Sequence, residues 1–439
     1  MISIVSLALV ALSMLIVSLY HAMLVYGKGV STHSVYRSNG GLLSLITPIK
    51  NEPVDVVERY GRHFAMYVNT FAIECIVVAD YADDTLFNGV LKVFPFNDSV
   101  FLVRRFNGVG GRNGAINDGA RFSSGDTILL LDVDAYPSEE VLREVAMCSS
   151  VCVAKWSVCE PGYTRISRTI AFMTDYGSWL YYKLKSLKGL FIYPLGSGTA
   201  IRRRLFEEIG GFRLDVIQDD MWLGTQLMRR RVKPHLVGEM CVGAPQTLSA
   251  FLTQQRRWAY GTTDVMKRFG RDILNASVEP VLKFEALFYL LQPLIAAITG
   301  LGFILAIPAS FSESQHMGLL ELVLLSLLGI SLALEFLCIK KFAREARGYD
   351  PPYVYGRSSA ISTLLTIEVL PYVVAAIIGI RIPYKITPKS REKARELSPL
   401  IIMLLFTASL TASIIRNNSI TLILSAMPLT AALYTLLRL

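Results

Sequence analysis

Six long apolar runs decide what this chain can fold into. They cover about residues 2–26, 284–309, 317–339, 358–380, 398–415 and 419–437. Runs of roughly 20 apolar residues are what a helix needs to cross ~30 Å of hydrocarbon. Between the first and second runs, residues 40–280 contain nothing comparable. Composition agrees: 52% of the 439 residues are hydrophobic and only 18% are charged. Those figures exclude a disordered chain and a small disulfide-dense secreted one. They fit a protein partly dissolved in lipid. The net charge of +9 does not imply nucleic acid, because much of it flanks the apolar runs, where it marks the cytosolic side. Membrane lipids, not nucleic acid, are the expected partners.

The first run has no positive segment before it, and Lys28 and Arg37 follow it. This reads as an anchor over residues 1–27, with the N-terminus outside and the rest of that flank cytosolic. Two later connections are basic: 340–357, with Lys340, Lys341, Arg344, Arg347 and Arg357, and 381–396, with Arg381, Lys385, Lys389, Arg391, Lys393 and Arg395. The link Ser310–His316 carries Glu313 and no Lys or Arg, so it fits the outside. If both basic connections are cytosolic, the run 358–380 cannot cross once. It contains Glu368 and Pro371, which suit a broken or re-entrant segment; the alternative leaves one basic connection outside. Six scattered cysteines without CxxC pairs read as reduced thiols in a cytosolic core rather than as a zinc site.

Within the insert, short apolar stretches alternate with Gly-, Asp- and Asn-rich turns, the pattern of an α/β domain. Strands are expected at Leu42–Thr47, Ile73–Ala79, Val100–Arg104, Thr127–Leu131 and Val151–Lys155. About 240 residues can bury a full core. Two of these strands run straight into acids: Ile73-Glu-Cys-Ile-Val-Val-Ala-Asp80 and Thr127-Ile-Leu-Leu-Leu-Asp132-Val-Asp134. Ligands of α/β sheets sit at the carboxyl ends of strands. Two carboxylates there repel unless a cation joins them, and a divalent ion holding a diphosphate is the economical partner. Asp134, which precedes Pro137 and an acidic helix start, also fits a plain helix-capping turn.

Further motifs follow in order: Gly110-Gly-Arg-Asn-Gly, Gly196-Ser-Gly-Thr, Gln218-Asp219-Asp220, Gln254-Gln-Arg-Arg-Trp258 and Tyr384-Lys-Ile-Thr-Pro-Lys389. With the membrane runs, this series resembles the family 2 inverting glycosyltransferases of GT-A fold, in particular their membrane-embedded branch of cellulose, hyaluronan and ceramide-glucosyl synthases. The resemblance implies a cytosolic GT-A domain (a Rossmann-like mixed sheet) over 40–245, amphipathic interface helices carrying QxxRW over 246–280, and a helix bundle over 281–439 with a cytosolic loop at 381–396. It implies that Thr47, Pro48, Glu52, Asp80, Arg112, Asp132, Asp134 and Arg257 bind the nucleotide-sugar, with Asp132 and Asp134 holding Mg2+ or Mn2+. Asp220 falls where the family keeps its base, with Asp219 beside it. Gly196, Gly198, Gln254 and Trp258 would face the acceptor, and Tyr384, Thr387 and Lys389 would form a gating loop. Ala79, Arg112 and Ser390 depart from the family's usual residues.

The implied function is a multi-pass membrane enzyme that moves sugar from a UDP-sugar to a polysaccharide or lipid acceptor with inversion. A nucleotide-regulated channel or transporter, its α/β domain acting as a sensor, is the competing class, but it gives no reason for Asp220 or QxxRW.

Overall fold

The computed structural model describes residues 1–29, 41–68, 72–80, 83–94, 98–312, 317–346, 349–383 and 396–439. Along the chain, helix α1 (Ile2–Tyr26) precedes β1 (Leu43–Ile49), α2 (Val54–Val68), β2 (Ile73–Asp80), α3 (Asp84–Val93) and β3 (Val100–Arg105). Next come α4 (Gly111–Phe122), β4 (Thr127–Leu130), β5 (Ala135–Pro137), α5 (Glu139–Ala146) and β6 (Val151–Ser157). Helix α6 (Arg165–Ser178) passes through a π-helical stretch, Trp179–Leu184, into the short α7 (Lys185–Leu187). The domain closes with β7 (Thr199–Arg202), α8 (Arg203–Ile209), α9 (Asp219–Arg229) and β8 (His235–Val242).

The five strands expected from apolar runs are all present. They form part of an eight-stranded mixed sheet of order β3-β2-β1-β4-β7-β6-β8-β5. Strands β1, β2, β3 and β4 are mutually parallel, β4–β7 and β6–β7 antiparallel. All eight residues of β2 are buried, which is why that strand reads as a continuous apolar run rather than an alternating one. One face of the sheet packs on Tyr60, Phe64, Val141 and Val145 from α2 and α5. The other packs on Ile116, Trp222, Leu227 and Val265 from α4, α9 and α10 (Leu248–Leu274). A buried Glu74 fixes the amino edge, accepting from Ser44 Oγ at 2.6 Å, Gly125 N at 2.9 Å and Ser124 Oγ at 2.8 Å.

Beyond α10 lie α11 (Pro280–Ala309), α12 (Leu319–Ala346), α13 (Pro351–Ile378), α14 (Ser398–Ile415) and α15 (Ser419–Arg438). With α1, these are six described helices long and apolar enough to cross a bilayer. Side-chain hydrogen bonds fix their directions. Helix α1 runs antiparallel to α11, through Ser6 Oγ on Gly302 O at 2.6 Å and Tyr20 OH on Glu285 at 2.9 Å. Helices α14 and α15 form a hairpin, joined by Ser409–Ser425 and Ser413–Thr421 at 2.7 and 2.8 Å. Asn418 marks its far end by donating to Ala309 O at 3.3 Å; Arg438 O, at the other end, accepts from Arg165 of α6 at 3.3 Å.

Helix α13 answers one part of the parity problem. It is continuous through Pro371, so it is not a broken segment. It lies alongside α10, parallel to it: Ile361 packs with Phe251 and Leu252, Glu368 meets Arg256 Nε at 3.1 Å, and Ile377 O accepts from Lys267 at 2.7 Å. Near its start, Tyr355 OH donates to Leu332 O of α12 at 3.0 Å. These contacts set α13 against α10 and α12.

The cysteines correct an expectation. Cys148 is joined to Cys152 and Cys159 to Cys241, while Cys75 and Cys338 are free and buried. Cys148 and Cys152 flank the turn into β6; Cys159, just past the end of β6, meets Cys241 of neighbouring β8. Spacing along the chain does not reveal either approach.

Candidate active site

The parallel register of β1, β2 and β4, with Leu43 opposite both Ile73 and Thr127, brings their carboxyl ends to one edge of the sheet. A cavity of about 1210 Å3 lies over that edge. Asp80 ends β2, and Asp132 and Asp134 leave β4. The cavity is lined by Pro48, Glu52, Asp80, Arg112, Asp132 and Asp134 on the strand side, and by Gly196, Asp219 and Asp220 opposite. Gln254, Arg257 and Trp258 of α10 complete it. Residues scattered over 210 positions thus share one concave site.

Arg112 organises the acids. It sits in the first turn of α4, whose N-cap Gly110 adopts φ +74°, a left-handed conformation that glycine tolerates best. From there the guanidinium bonds Asp219, reaches Asp132 Oδ1 at 3.0 Å, and donates to Gly196 O at 2.5 Å. Asp132 also receives support through its backbone N–H, which donates to Ser197 Oγ at 2.9 Å. Its side chain stays 41% exposed to the cavity. The guanidinium thus acts as a strut between carboxylates while still lining the cavity.

The adjacent Asp219 and Asp220 are thereby told apart. Asp219 is neutralised by Arg112. Asp220 is held by two backbone donors, Gly196 N at 3.1 Å and Met221 N at 2.8 Å. Burial, followed by the neighbouring Asp219 charge, pushes the Asp220 carboxyl up to about 7, against the pull of those N–H groups and Arg112. A carboxyl titrating there can take a proton at neutral pH. Asp80 is ion-paired with Arg105, whose Nε holds Asp118 at 2.8 Å, and Lys50 lies 3.9 Å away. Burial still lifts the Asp80 carboxyl above the usual range.

Asp132 and Asp134 fit a divalent cation by the chemistry of their oxygens. Among the described residues no three metal-binding side chains gather, so the protein offers two hard carboxylates. Mg2+ and Mn2+ sites of this kind take their remaining oxygens from substrate phosphates and water.

The cavity wall at α10 carries two tryptophans. Trp156 at the end of β6 donates to Ser197 O at 2.8 Å, and its ring lies 6.1 Å from that of Trp258. Helix α10 is started by Thr247, whose hydroxyl accepts from Ala250 N at 3.2 Å. That cap sets the rotation that turns Gln254, Arg257 and Trp258 to the cavity, while Arg256 faces α13.

Two expected site residues lie elsewhere. Thr47 is fully buried and its hydroxyl bonds Tyr60; it does not line the cavity. Gly198 (φ +90°) packs under Met240 and Ala154 O and holds β7 against its neighbours. Tyr384, Thr387 and Lys389 lie outside the described residues. Conversely, sequence reading missed Arg105, Trp156, Ser197 and Tyr163. Arg105 carried a faint signal, as a buried-strand end with a charge, and Ser197 lay inside the Gly196-Ser-Gly-Thr motif; the others had none.

Residues 127–338 match the profile of the glycosyl transferase family group 2. The chain carries a family 2 glycosyltransferase domain. It is 28% identical to a probable glycosyltransferase of Sulfolobus acidocaldarius, over 60% of this chain and 59% of that protein. It is 24% identical to the probable glycosyltransferase YdaM of Bacillus subtilis, over 52% and 56%. A cellulose synthase catalytic subunit [UDP-forming] of Xanthomonas axonopodis pv. citri matches at 25% over 40% and 26%. The chain thus spans less than two thirds of the length of these relatives. In solved structures, the glycosyltransferase domain and its helices resemble a mannosyltransferase from Pyrobaculum calidifontis, in complex with GDP-Man and Mn2+. That likeness covers 86% of this chain and 98% of that one, with a TM-score of 0.54 at 17% identity. The GT-A fold and the family expected from the motifs hold.

Proposed function

We propose that this family 2 glycosyltransferase domain transfers a sugar from a UDP-sugar, of the UDP-glucose or UDP-N-acetylglucosamine type, to an acceptor hydroxyl with inversion. The observation that carries the reading is the meeting of Asp132, Asp134, Asp220, Arg257 and Trp258 around one cavity. A divalent cation held by Asp132 and Asp134 would neutralise the donor's diphosphate. Asp220 takes the acceptor proton as the acceptor oxygen bonds the anomeric carbon and the carbon–phosphate oxygen bond breaks. The diphosphate leaves with that electron pair, opposite Arg257. A carboxylate with its pKa near the working pH is the efficient choice for such a base, and Arg112, by neutralising Asp219, keeps a second negative charge from raising it further. Trp258 and Trp156 offer faces on which a sugar ring stacks.

UDP is favoured as the donor nucleotide because the cellulose synthase relative is named for forming it. We place the domain on the cytosolic side, because the segments flanking the apolar run of α13 are rich in Lys and Arg. The test is nucleotide release by the purified chain with UDP-glucose, UDP-N-acetylglucosamine or GDP-mannose, with and without Mg2+ or Mn2+. Cation-dependent UDP release is expected. Full activity in chelator contradicts the assignment of Asp132 and Asp134, and release of GDP alone overturns the donor.

A further inference from the structure

The two disulfides stand in different surroundings. Cys148 and Cys152 are 2% and 3% exposed and belong to the core on one face of the sheet. Cys159 is exposed, and its partner Cys241 is only partly buried and lines the cavity. Thiol–disulfide exchange begins when a thiolate reaches one sulfur of the bridge, so exposure decides which bridge opens. Of the two, the bridge beside the cavity is the one that offers a sulfur to solvent. On the cytosolic side, where the domain is placed above, dithiols are the resident reductants.

That bridge joins two parts of the cavity wall. From Cys159 the chain runs on through Glu160, Pro161, Gly162 and Tyr163, all of which line the cavity. From Cys241, in β8, it runs through Val242, opposite Ala135 of β5, to Gly243, whose N–H donates to Asp134 O at 3.0 Å. A methyl group placed on Gly243 would lie 3.3 Å from Asp134 Oδ2, so this strand end abuts the carboxylate itself. Val158, just before the bridge, is fixed by its N–H on Asp175 Oδ1 at 2.9 Å. Among the described residues, the other ties of 159–163 are weak. Glu160 meets Arg59 at 3.4 Å, but the two side chains are 83% and 57% exposed, and such pairs add little. Gly162 O meets Arg168 Nε at 3.5 Å, the long limit of a hydrogen bond.

Resting on the donor site proposed above, we infer that Cys159–Cys241 is a thiol–disulfide exchange site that sets the affinity of that site. Closed, the bridge clamps residues 159–163 to the strand that abuts Asp134. Opened by a dithiol, it releases them and weakens the hold on cation and nucleotide together. In the opening step a thiolate of the dithiol attacks Cys159 Sγ, the S–S bond breaks, and Cys241 leaves with the electron pair and takes a proton. The second thiolate of the dithiol then displaces Cys159, which is protonated in turn. The protein bridge has gained two electrons and two protons, and the dithiol has become a disulfide.

The experiment treats the full chain in detergent with rising dithiothreitol, traps free thiols with iodoacetamide and locates the label by peptide mass spectrometry. Cys159 and Cys241 should label at lower dithiothreitol than Cys148 and Cys152. At that point Mn2+ binding with UDP or GDP present, read by electron paramagnetic resonance, and KM for the nucleotide-sugar are measured. Both should weaken about tenfold, the low end of what losing an outer support costs a metal site, and reoxidation should restore them. Cys159→Ala/Cys241→Ala should match the opened protein and ignore the reductant, while Cys148→Ala/Cys152→Ala should keep the response. Opening of both bridges together, or affinities unchanged with Cys159–Cys241 alone open, would overturn the inference, and neither result depends on a variant that folds. No nucleotide release in either state would instead bring down the transferase reading, while the labelling order still stands or falls by itself.

Discussion

Carboxylates in the bundle and carboxylates in the cavity are treated differently by this molecule. In the bundle each meets fixed side chains. Glu285 lies 2.6 Å from the fully buried Lys185 and accepts from Tyr20; Glu335 takes His21 at 2.8 Å and Tyr176 at 3.1 Å; Glu368 takes Arg256. In the cavity, Arg112 serves both Asp132 and Asp219, while Asp220 is held by neutral N–H groups. Glu285 and Glu335 are matched to separate partners, while Arg256 also reaches Glu396 at 3.4 Å. In the cavity Asp132 shares its cation and stays 41% exposed, which leaves room for a further positive or proton-bearing partner, as the proposed cation-bound diphosphate and acceptor hydroxyl would be.

The largest expected effect breaks the cavity side of this contrast. Asp220→Asn keeps the shape and one of the two oxygens that accept from Gly196 N and Met221 N, but removes the proposed base. Transfer should fall by about 10²–10⁴, with nucleotide affinity and circular dichroism unchanged. Near-wild-type transfer would move the base to Asp219 or end the proposal.

On the bundle side, the effect is on stability. Lys185→Met leaves Glu285 buried with Tyr20 as its main partner, and such losses cost about 3–5 kcal/mol. The double change Lys185→Met/Glu285→Leu should recover most of it, because removing a buried pair together is often close to neutral. Denaturant unfolding in detergent reads both. If the double variant is as unstable as the single one, the pair is not a self-contained structural unit.

Acidity separates the two sets again. As the proposed base Asp220 must be ionised, and its carboxyl is pushed up to about 7, above the usual ~3.9. The rate should therefore rise about tenfold per pH unit below 7 and level off above it. The sign for stability is opposite. The folded state holds this proton more tightly than the unfolded one, so the contribution is full below about 4 and is lost as pH rises through 7. A rate that is flat from pH 5 to 8 would remove Asp220 from the proton path.

Sequence alone revealed the features that repeat along the chain. Buried strands that end in acids, such as Ile73–Asp80 and Thr127–Asp132, are visible because both faces are apolar and the acid stops the run. The membrane helices are visible by length. Strands β5, β7 and β8 were missed: the first is three residues ending in Pro137, the second four residues, and the third is interrupted by Gly238 at φ +42°. Rotation of side chains was also invisible. Arg257 and Arg256 are neighbours in one motif, yet one faces the cavity and the other α13. The lie of α13 was undecidable from hydropathy, because a helix alongside α10 and a helix across lipid can carry the same 28 apolar-rich residues.

The smallest expected effect tests one such rotation. Thr47 stands on the first strand of the site, where the resemblance to other glycosyltransferases gave it a donor contact. Its neighbour Pro48 does line the cavity. In a strand, successive side chains point to opposite faces, so one of the pair must turn away, and Thr47 is the one: its hydroxyl meets Tyr60 inside the α2 face of the core. Thr47→Val preserves the branched shape and removes only that oxygen. The cost should be about 1 kcal/mol of stability, the net value of one buried hydrogen bond, with KM for the donor within twofold of the parent. A donor contact would show the reverse pattern: unchanged melting and a KM raised tenfold or more. Measuring both on one preparation decides whether this edge of the sheet holds nucleotide through Pro48 and its loop or through the strand itself.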